Sequence, residues 1–332
     1  MTPRRRVFPL FIPHAGCSHD CVYCAQRSVT GRSAPVTSGD VSAALEALAF
    51  DVDELAFYGG SFTALSLDEQ RSFLDAAAPF LAAGKIKSIR VSTRPDAIDG
   101  DVLELLERGG VATIELGAQS MDDGVLAQSR RGHTAADTVR AAALIRERDG
   151  FRLVLQMMTG LPGSTEELDC ATAEALAALK PDGVRIYPTV ILRDTPLYEL
   201  WRRGEYREHT VEDAVRVCAE ILPIFEAARI PVIRLGLNPT EELSSGGAVV
   251  GGAYHPALGE LVKSRVFFER ARALLLASKP EDDVVLGVNK SEISQMTGQH
   301  RQNLAALEAE FGLRKVRVAA AEVPRGGIVI LK

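Results

Sequence analysis

Three cysteines, Cys17, Cys21 and Cys24, form a C-x3-C-x2-C array directly after the apolar run Val7–Ile12. Thiolates so closely grouped suit an iron–sulfur cluster, whose irons are normally held by four cysteines. A compact set of three leaves one iron without a protein ligand and open to a small molecule, which points to chemistry rather than scaffolding. The competing reading is a zinc site completed by His14 or His19, although the usual second C-x2-C or H-x3-H pair is missing. Cys170 and Cys218 stand alone in helical patterns and read as small buried apolar residues. Clustered reduced thiols suit a reducing, cytoplasmic setting better than a disulfide-stapled exported protein.

The elements that must position these thiols are legible as a repeat. Apolar, β-branched runs recur at Val7–Ile12, Glu54–Tyr58, Ser88–Thr93, Val111–Leu116, Arg152–Met158 and Val184–Pro188, each followed by a helical stretch. Capping boxes are expected at Ser66-x-x-Glu69 and Ser164-x-x-Glu167, with weaker versions at Thr134-x-x-Asp137 and Thr210-x-x-Asp213. An α/β fold with a parallel sheet follows, and periodicity alone fits an open doubly wound sheet as well as a curled one. In either case functional loops belong at the carboxyl ends of the strands, where the cysteines, Tyr58-Gly-Gly-Ser-Phe62, Thr93-Arg-Pro-Asp96, Glu115–Ser120 and Gly160-Leu-Pro-Gly163 all fall.

The chain of 332 residues is 46% hydrophobic, enough for one large unit and a small appendage, and its net charge of −6 offers no global basic field for nucleic acid. No apolar stretch is long enough to span a bilayer, and Met-Thr-Pro-Arg-Arg-Arg is not followed by a signal-peptide apolar region, so no membrane partner is expected. Residues 236–283 read as a glycine-rich loop and a helix around Leu258–Ala277. Residues 284–332 read as a small α+β module with a helix over Gln299–Phe311. The Gly246–Gly259 segment, with His255 and the following Lys263 and Arg265, suggests a lid or a linker. Between Val284 and Lys332 seven basic residues face four acidic ones, and Lys290, His300, Arg301, Arg314, Lys315 and Arg317 can meet a phosphate backbone or simply face solvent. The helix start at Gly298–Asn303 is a further candidate anion clamp.

With Tyr23 directly before its last cysteine, the array resembles the signature of the radical S-adenosylmethionine (SAM) enzymes. The resemblance implies a partial (β/α)6 TIM-like barrel over residues 1–235. It also implies a 4Fe-4S cluster on Cys17, Cys21 and Cys24, with S-adenosyl-L-methionine chelated to the open iron. Gly59, Gly60 and Ser61 resemble the family's amino-group site, although a glycine pair is also an ordinary tight turn. Glu115, Gln119 and Ser120 can hold ribose hydroxyls or a carboxylate, or cap the next helix. Arg131 can pair with the methionine carboxylate; its Ser129–His133 segment looks like that of oxygen-independent coproporphyrinogen oxidases. Gln156 and the Gly160 turn resemble the adenine-packing segment.

The run Tyr187–Trp201 resembles the Elongator catalytic-subunit branch, whose tRNA-modifying members carry an acetyltransferase domain. A stand-alone enzyme without that domain is expected, drawing electrons from a flavodoxin- or ferredoxin-type donor. Two substrate classes follow, a tRNA nucleoside or a small anionic, tetrapyrrole-like metabolite. The reading of a different class is a non-catalytic iron–sulfur or zinc module that senses redox state.

Overall fold

In the computed structural model, which describes residues 6–13, 15–17, 20–25, 35–238 and 247–331, a seven-stranded parallel sheet runs through the larger part of the chain. Its strands are β1 (Val7–Phe11), β2 (Glu54–Tyr58), β3 (Ile89–Thr93), β4 (Val111–Gln119), β5 (Arg152–Thr159) and β6 (Gly183–Pro188). After the short β7 (Val190–Leu192), β8 (Val232–Leu235) pairs with β6 and completes it. The order β1-β2-β3-β4-β5-β6-β8 makes each crossover a helix, the curled half-barrel arrangement. Six strands were expected; the seventh was hidden because Arg234 interrupts its apolar run.

Strand alternation explains how this sheet closes on a polar interior. One face carries Leu55, Phe57, Ile89, Val91, Ile114, Leu116, Leu153, Leu155, Val184 and Ile186, all buried in the main core beneath the helices. The opposite face carries the charged residues, matched across strands by register: Arg90 lies opposite Thr113, Thr113 opposite Arg152, Gln156 opposite Arg185, and Arg185 opposite Arg234. The polar face therefore lines the inside of the curl.

Helix starts follow the expected chemistry at Ser66, Thr134 and Thr210, each of which forms a complete capping box. The box expected at Ser164 does not form. Thr165 accepts from the Leu168 amide, while Ser164 Oγ donates to Asp169 Oδ1 at 2.6 Å. Part of the expected glycine-rich loop is also ordered as β9 (Val249–Gly252), antiparallel to β7. Gly252 has φ +84°, and a Cβ there would approach Thr189 O to 2.7 Å, so glycine is what allows the two strands this contact.

The helix Leu258–Ser278 bridges two cores: Leu258, Val262 and Val266 join the barrel core, and Phe267, Ala271 and Leu275 join a second one. That second core is roofed by β10 (Asp283–Val288), β11 (Lys315–Ala320) and β12 (Ile328–Ile330), in the order β11-β10-β12. Its helix begins at Gln302 rather than Gln299, because His300 and Arg301 take left-handed φ values of 48° and 62°. Among the described residues no helix is long and apolar enough to cross a membrane.

Candidate functional site

At the carboxyl ends of the strands lies a cavity of about 610 Å³ whose wall includes all three clustered cysteines. Of the other residues singled out in the sequence, Gly59, Gly60, Ser61, Gln119, Arg131 and Gln156 also line it. A second cavity of about 610 Å³, between the helix Leu258–Ser278 and the carboxy-terminal module, has no cysteine on its wall.

The cysteine loop is held by interlocking backbone. Ser61 N donates to Ala15 O at 2.8 Å, and Val22 N to Ser129 O at 3.2 Å. A Cβ on Gly60 would come within 2.5 Å of Ala15 O and 2.7 Å of Ile12 O. Gly60 therefore makes room for the cysteine loop itself, whereas Gly59, with φ +89°, supplies the turn that opens onto the cavity. Gly60→Ala is expected to push the two loops apart and to cost about 1–3 kcal/mol, read as a lowered urea midpoint at unchanged m-value.

Arg131 is the charged group that meets the thiols. Its Nη1 donates to Cys21 Sγ at 3.4 Å and its Nη2 to Gly117 O at 2.6 Å, while Nε is buried without a partner. Burial opposes its charge, but Tyr23 and Cys21 facing it hold the guanidinium above its ordinary pKa. Burial pushes the Tyr23 phenol well up, so it stays neutral beside the sulfur. Arg94 fixes this segment from behind, donating to Arg131 O at 2.8 Å while its Nε donates to Asp96 Oδ1 at 2.8 Å. A register shift in β4 between Gly117 and Gln119 re-aims Gln119, at φ 66°, into the cavity.

Three candidates are not on the cavity wall. Glu115 is fully buried beneath it: Gln156 Nε2 donates to its Oε2 at 2.8 Å, Arg185 Nε donates to its Oε1 at 3.1 Å, and Arg90 Nη1 donates to the same Oε1. Ser120 turns back, accepting from Asp122 N at 3.1 Å and meeting Thr172 Oγ1 at 3.3 Å. Gly160 lies behind the wall, its amide donating to Asp169 at 2.9 Å and its carbonyl accepting from the Tyr206 hydroxyl at 2.7 Å. His255 is also absent from the wall, its Nδ1 instead accepting from Ala257 N at 3.1 Å. Sequence reasoning missed Arg185, which is on the wall, and gave Tyr58, the first residue of the Tyr58–Phe62 loop and also on the wall, no role of its own. The available signal for Arg185 was a charged residue within an apolar strand.

Two buried imidazoles brace the rim. His209 Nε2 sits 3.1 Å from Thr159 Oγ1 with its ring packed under Gly160, and His133 Nε2 lies 3.2 Å from Ala118 O. Burial holds both near pKa about 4. An unfolded histidine titrates near about 6.5, so between there and pH about 4 the unfolded state binds more protons. Their contribution is full above the unfolded value and is lost as pH falls through that window, by up to about 1.4 kcal/mol per pH unit for each. Urea unfolding at stepped pH should therefore show a shallower acid slope in His209→Gln than in the native protein.

Residues 11–176, half of the chain, match the family model for the radical SAM superfamily, and residues 181–267 match that for its C-terminal domain. The chain belongs to the radical SAM superfamily. Within it the chain is related to the Elongator-like branch. It is 31% identical over 232 residues to a tRNA uridine(34) acetyltransferase of Methanocaldococcus jannaschii, covering 63% of this chain and 41% of the relative. It is 31% identical over 202 residues to Elongator complex protein 3 of Mus musculus, covering 54% and 37% respectively. The chain thus spans less than half the length of these curated relatives. In fold it is similar to the archaeal Methanocaldococcus infernus Elp3, with a TM-score of 0.62 at 24% identity over 81% of this chain and 64% of that one. It is also similar to coproporphyrinogen III oxidase from Escherichia coli, with a TM-score of 0.52 at 17% identity over 68% and 54%.

Radical SAM enzymes use SAM and a 4Fe-4S cluster, and the donor set fits that group. Three thiols, none of them in a disulfide, open onto one cavity, and a buried guanidinium donates to one of them, as suits a sulfur that carries negative charge. Among the described residues no three metal-ligating side chains already gather around a single point, so the fit rests on chemistry and shared wall rather than on a formed cage. His14 and His19, the zinc candidates, lie outside the described residues.

Proposed function

We propose that the protein is a radical SAM enzyme in which Cys17, Cys21 and Cys24 hold the cluster and the surrounding cavity holds SAM. The observation that carries this reading is the shared wall of the three thiols with Gly59, Ser61, Gln119 and Arg131. A 4Fe-4S cluster held by Cys17, Cys21 and Cys24 and fed by an external flavodoxin- or ferredoxin-type donor would supply the single electron for reductive cleavage of SAM, with the substrate giving up a hydrogen atom and methionine and 5′-deoxyadenosine leaving as products.

The protein's own residues position the reactants. Ser61 and the carbonyl of Gly59 would accept from the SAM ammonium, Gln119 and Gln156 would bond the nucleoside, and Arg131, which donates to Cys21 Sγ, would steady that sulfur and pair with the methionine carboxylate. Glu115, Ser120 and Gly160 act from behind the wall.

A tRNA nucleoside is the substrate class favoured by the likeness to tRNA uridine(34) acetyltransferases. The carboxy-terminal module adds less than its composition suggests: Arg314 and Arg317 both lie against Asp283, while Lys290, Arg301 and Lys315 are exposed. Anaerobic reconstitution with iron and sulfide, followed by electron paramagnetic resonance of the reduced protein, tests the cofactor assignment. SAM should shift the cluster signal, whereas a signal indifferent to saturating SAM would overturn it.

A further inference from the structure

Among the described residues, the polar inside of the barrel has more positive than negative charge. Glu54 and Glu115, both fully buried, share this face with Arg90, Arg152, Arg185 and Arg234. Arg90 pairs with both carboxylates, and Arg152, whose side chain is 36% exposed, reaches Glu54 at 3.2 Å. Among the described residues the half-buried Arg234 has carbonyl acceptors, Gly236 O at 2.8 Å and Leu237 O at 2.6 Å, and burial and the nearby Arg185 hold its pKa down. Guanidiniums do not deprotonate in proteins, and a buried charge without a counter-ion is costly. The phenols do not balance it, because burial pushes both Tyr58 and Tyr187 up and keeps them neutral. The cavity's carboxylates, Asp20 and Asp194, are exposed at its mouth.

Arg185 is where this excess meets the cavity. Its Nε donates to Glu115 Oε1 at 3.1 Å, and its Nη2 lies 2.9 Å from the same oxygen and donates to the Tyr58 hydroxyl at 2.9 Å. Among the described residues Nη1 makes only a 3.5 Å contact with the Tyr187 hydroxyl, which leaves donor capacity of the five N–H groups open toward the cavity. Phe11, Tyr58, Met158 and Tyr187 line the cavity beside it, so a flat apolar body can lie next to the open edge of the guanidinium.

We infer that Arg185 is an anion subsite: it takes a carboxylate or phosphate group of the substrate and supplies a fixed point from which the rest of the substrate reaches toward the cysteines. This deepens the radical-enzyme reading and rests on it for the identity of the occupant as substrate. The anion completes the unbalanced charge on the barrel's inner face, and a planar group beside it packs on the aromatic wall.

Three probes with the same ring test this in the reconstituted protein by titration calorimetry: benzoate, phenyl phosphate and the uncharged benzamide. At least one anion should bind about tenfold or more tightly than benzamide, and whichever does so identifies the carboxylate or the phosphate as the group recognised. Arg185→Gln should abolish that preference and Arg185→Lys should retain part of it, the second variant keeping the charge opposite Glu115 should the first not fold. Equal affinity for benzamide and both anions in the native protein, or an undiminished preference in Arg185→Gln, would overturn the subsite. Neither measurement depends on SAM cleavage. An intact anion preference in a protein that does not cleave SAM would contradict the enzyme reading alone, and the reverse would contradict the subsite alone.

Discussion

Cys21→Ala is expected to reduce 5′-deoxyadenosine formation to background and to leave the protein unable to retain a 4Fe-4S cluster. Cys21 is the buried member of the three, and its sulfur receives the Arg131 guanidinium at 3.4 Å. With only three protein thiolates available, losing one leaves two, too few to keep a cubane in place against competing thiols and chelators. Cys170→Ala is the internal control, since that thiol lies on a helix outside the cavity, 3.8 Å from Glu220, where burial and that carboxylate push its pKa up to about 11. Iron and sulfide content, the visible absorption of the cluster and product yield should all fall together in Cys21→Ala and stay at native levels in Cys170→Ala. Full turnover without Cys21 would remove the thiol array from the mechanism.

The largest effect on stability is expected from Glu115→Ala. This carboxylate, with no exposed surface, accepts from Arg90, Arg185, Gln156 and the Tyr58 hydroxyl, and so ties β2, β3, β4, β5 and β6 together inside the barrel. Removing it strands the Arg185 charge and leaves Arg90 on Glu54 alone. Breaking a buried pair from one side costs about 3–5 kcal/mol, because the remaining charge stays desolvated. The check is denaturant unfolding of Glu115→Ala, Arg185→Ala and the double variant. The double variant should cost less than the sum of the singles, with a coupling of about 0.5–3 kcal/mol, whereas simple additivity would mean that the two groups do not act as a unit.

The same residues show what was legible beforehand. The strands were readable because their outward faces are unbroken rows such as Leu55 and Phe57 or Leu153 and Leu155, which any parallel sheet needs beneath its helices. The thiol array and the glycine turn were readable because their chemistry is local in sequence. Glu115 was misplaced because its position at the end of an apparent strand, Val111–Leu116, suggested a rim group; β4 in fact runs on to Gln119 and leaves Glu115 deep inside. Charged residues inside several consecutive β-branched runs, at Glu54, Arg90, Glu115 and Arg185, were the missed signal of a polar barrel interior. The contact between Arg131 and Cys21 spans 110 positions, and Arg185 reaches Tyr58 across 127. Such pairings come from register and curl, which local patterns do not encode.

The most direct test of the central claim is anaerobic quantification of 5′-deoxyadenosine after reconstitution, reduction with dithionite and addition of SAM. The account predicts product from the native protein and none from the variant with Cys17, Cys21 and Cys24 all replaced by alanine. No product from a fully loaded native cluster, or equal product from the triple variant, would contradict it.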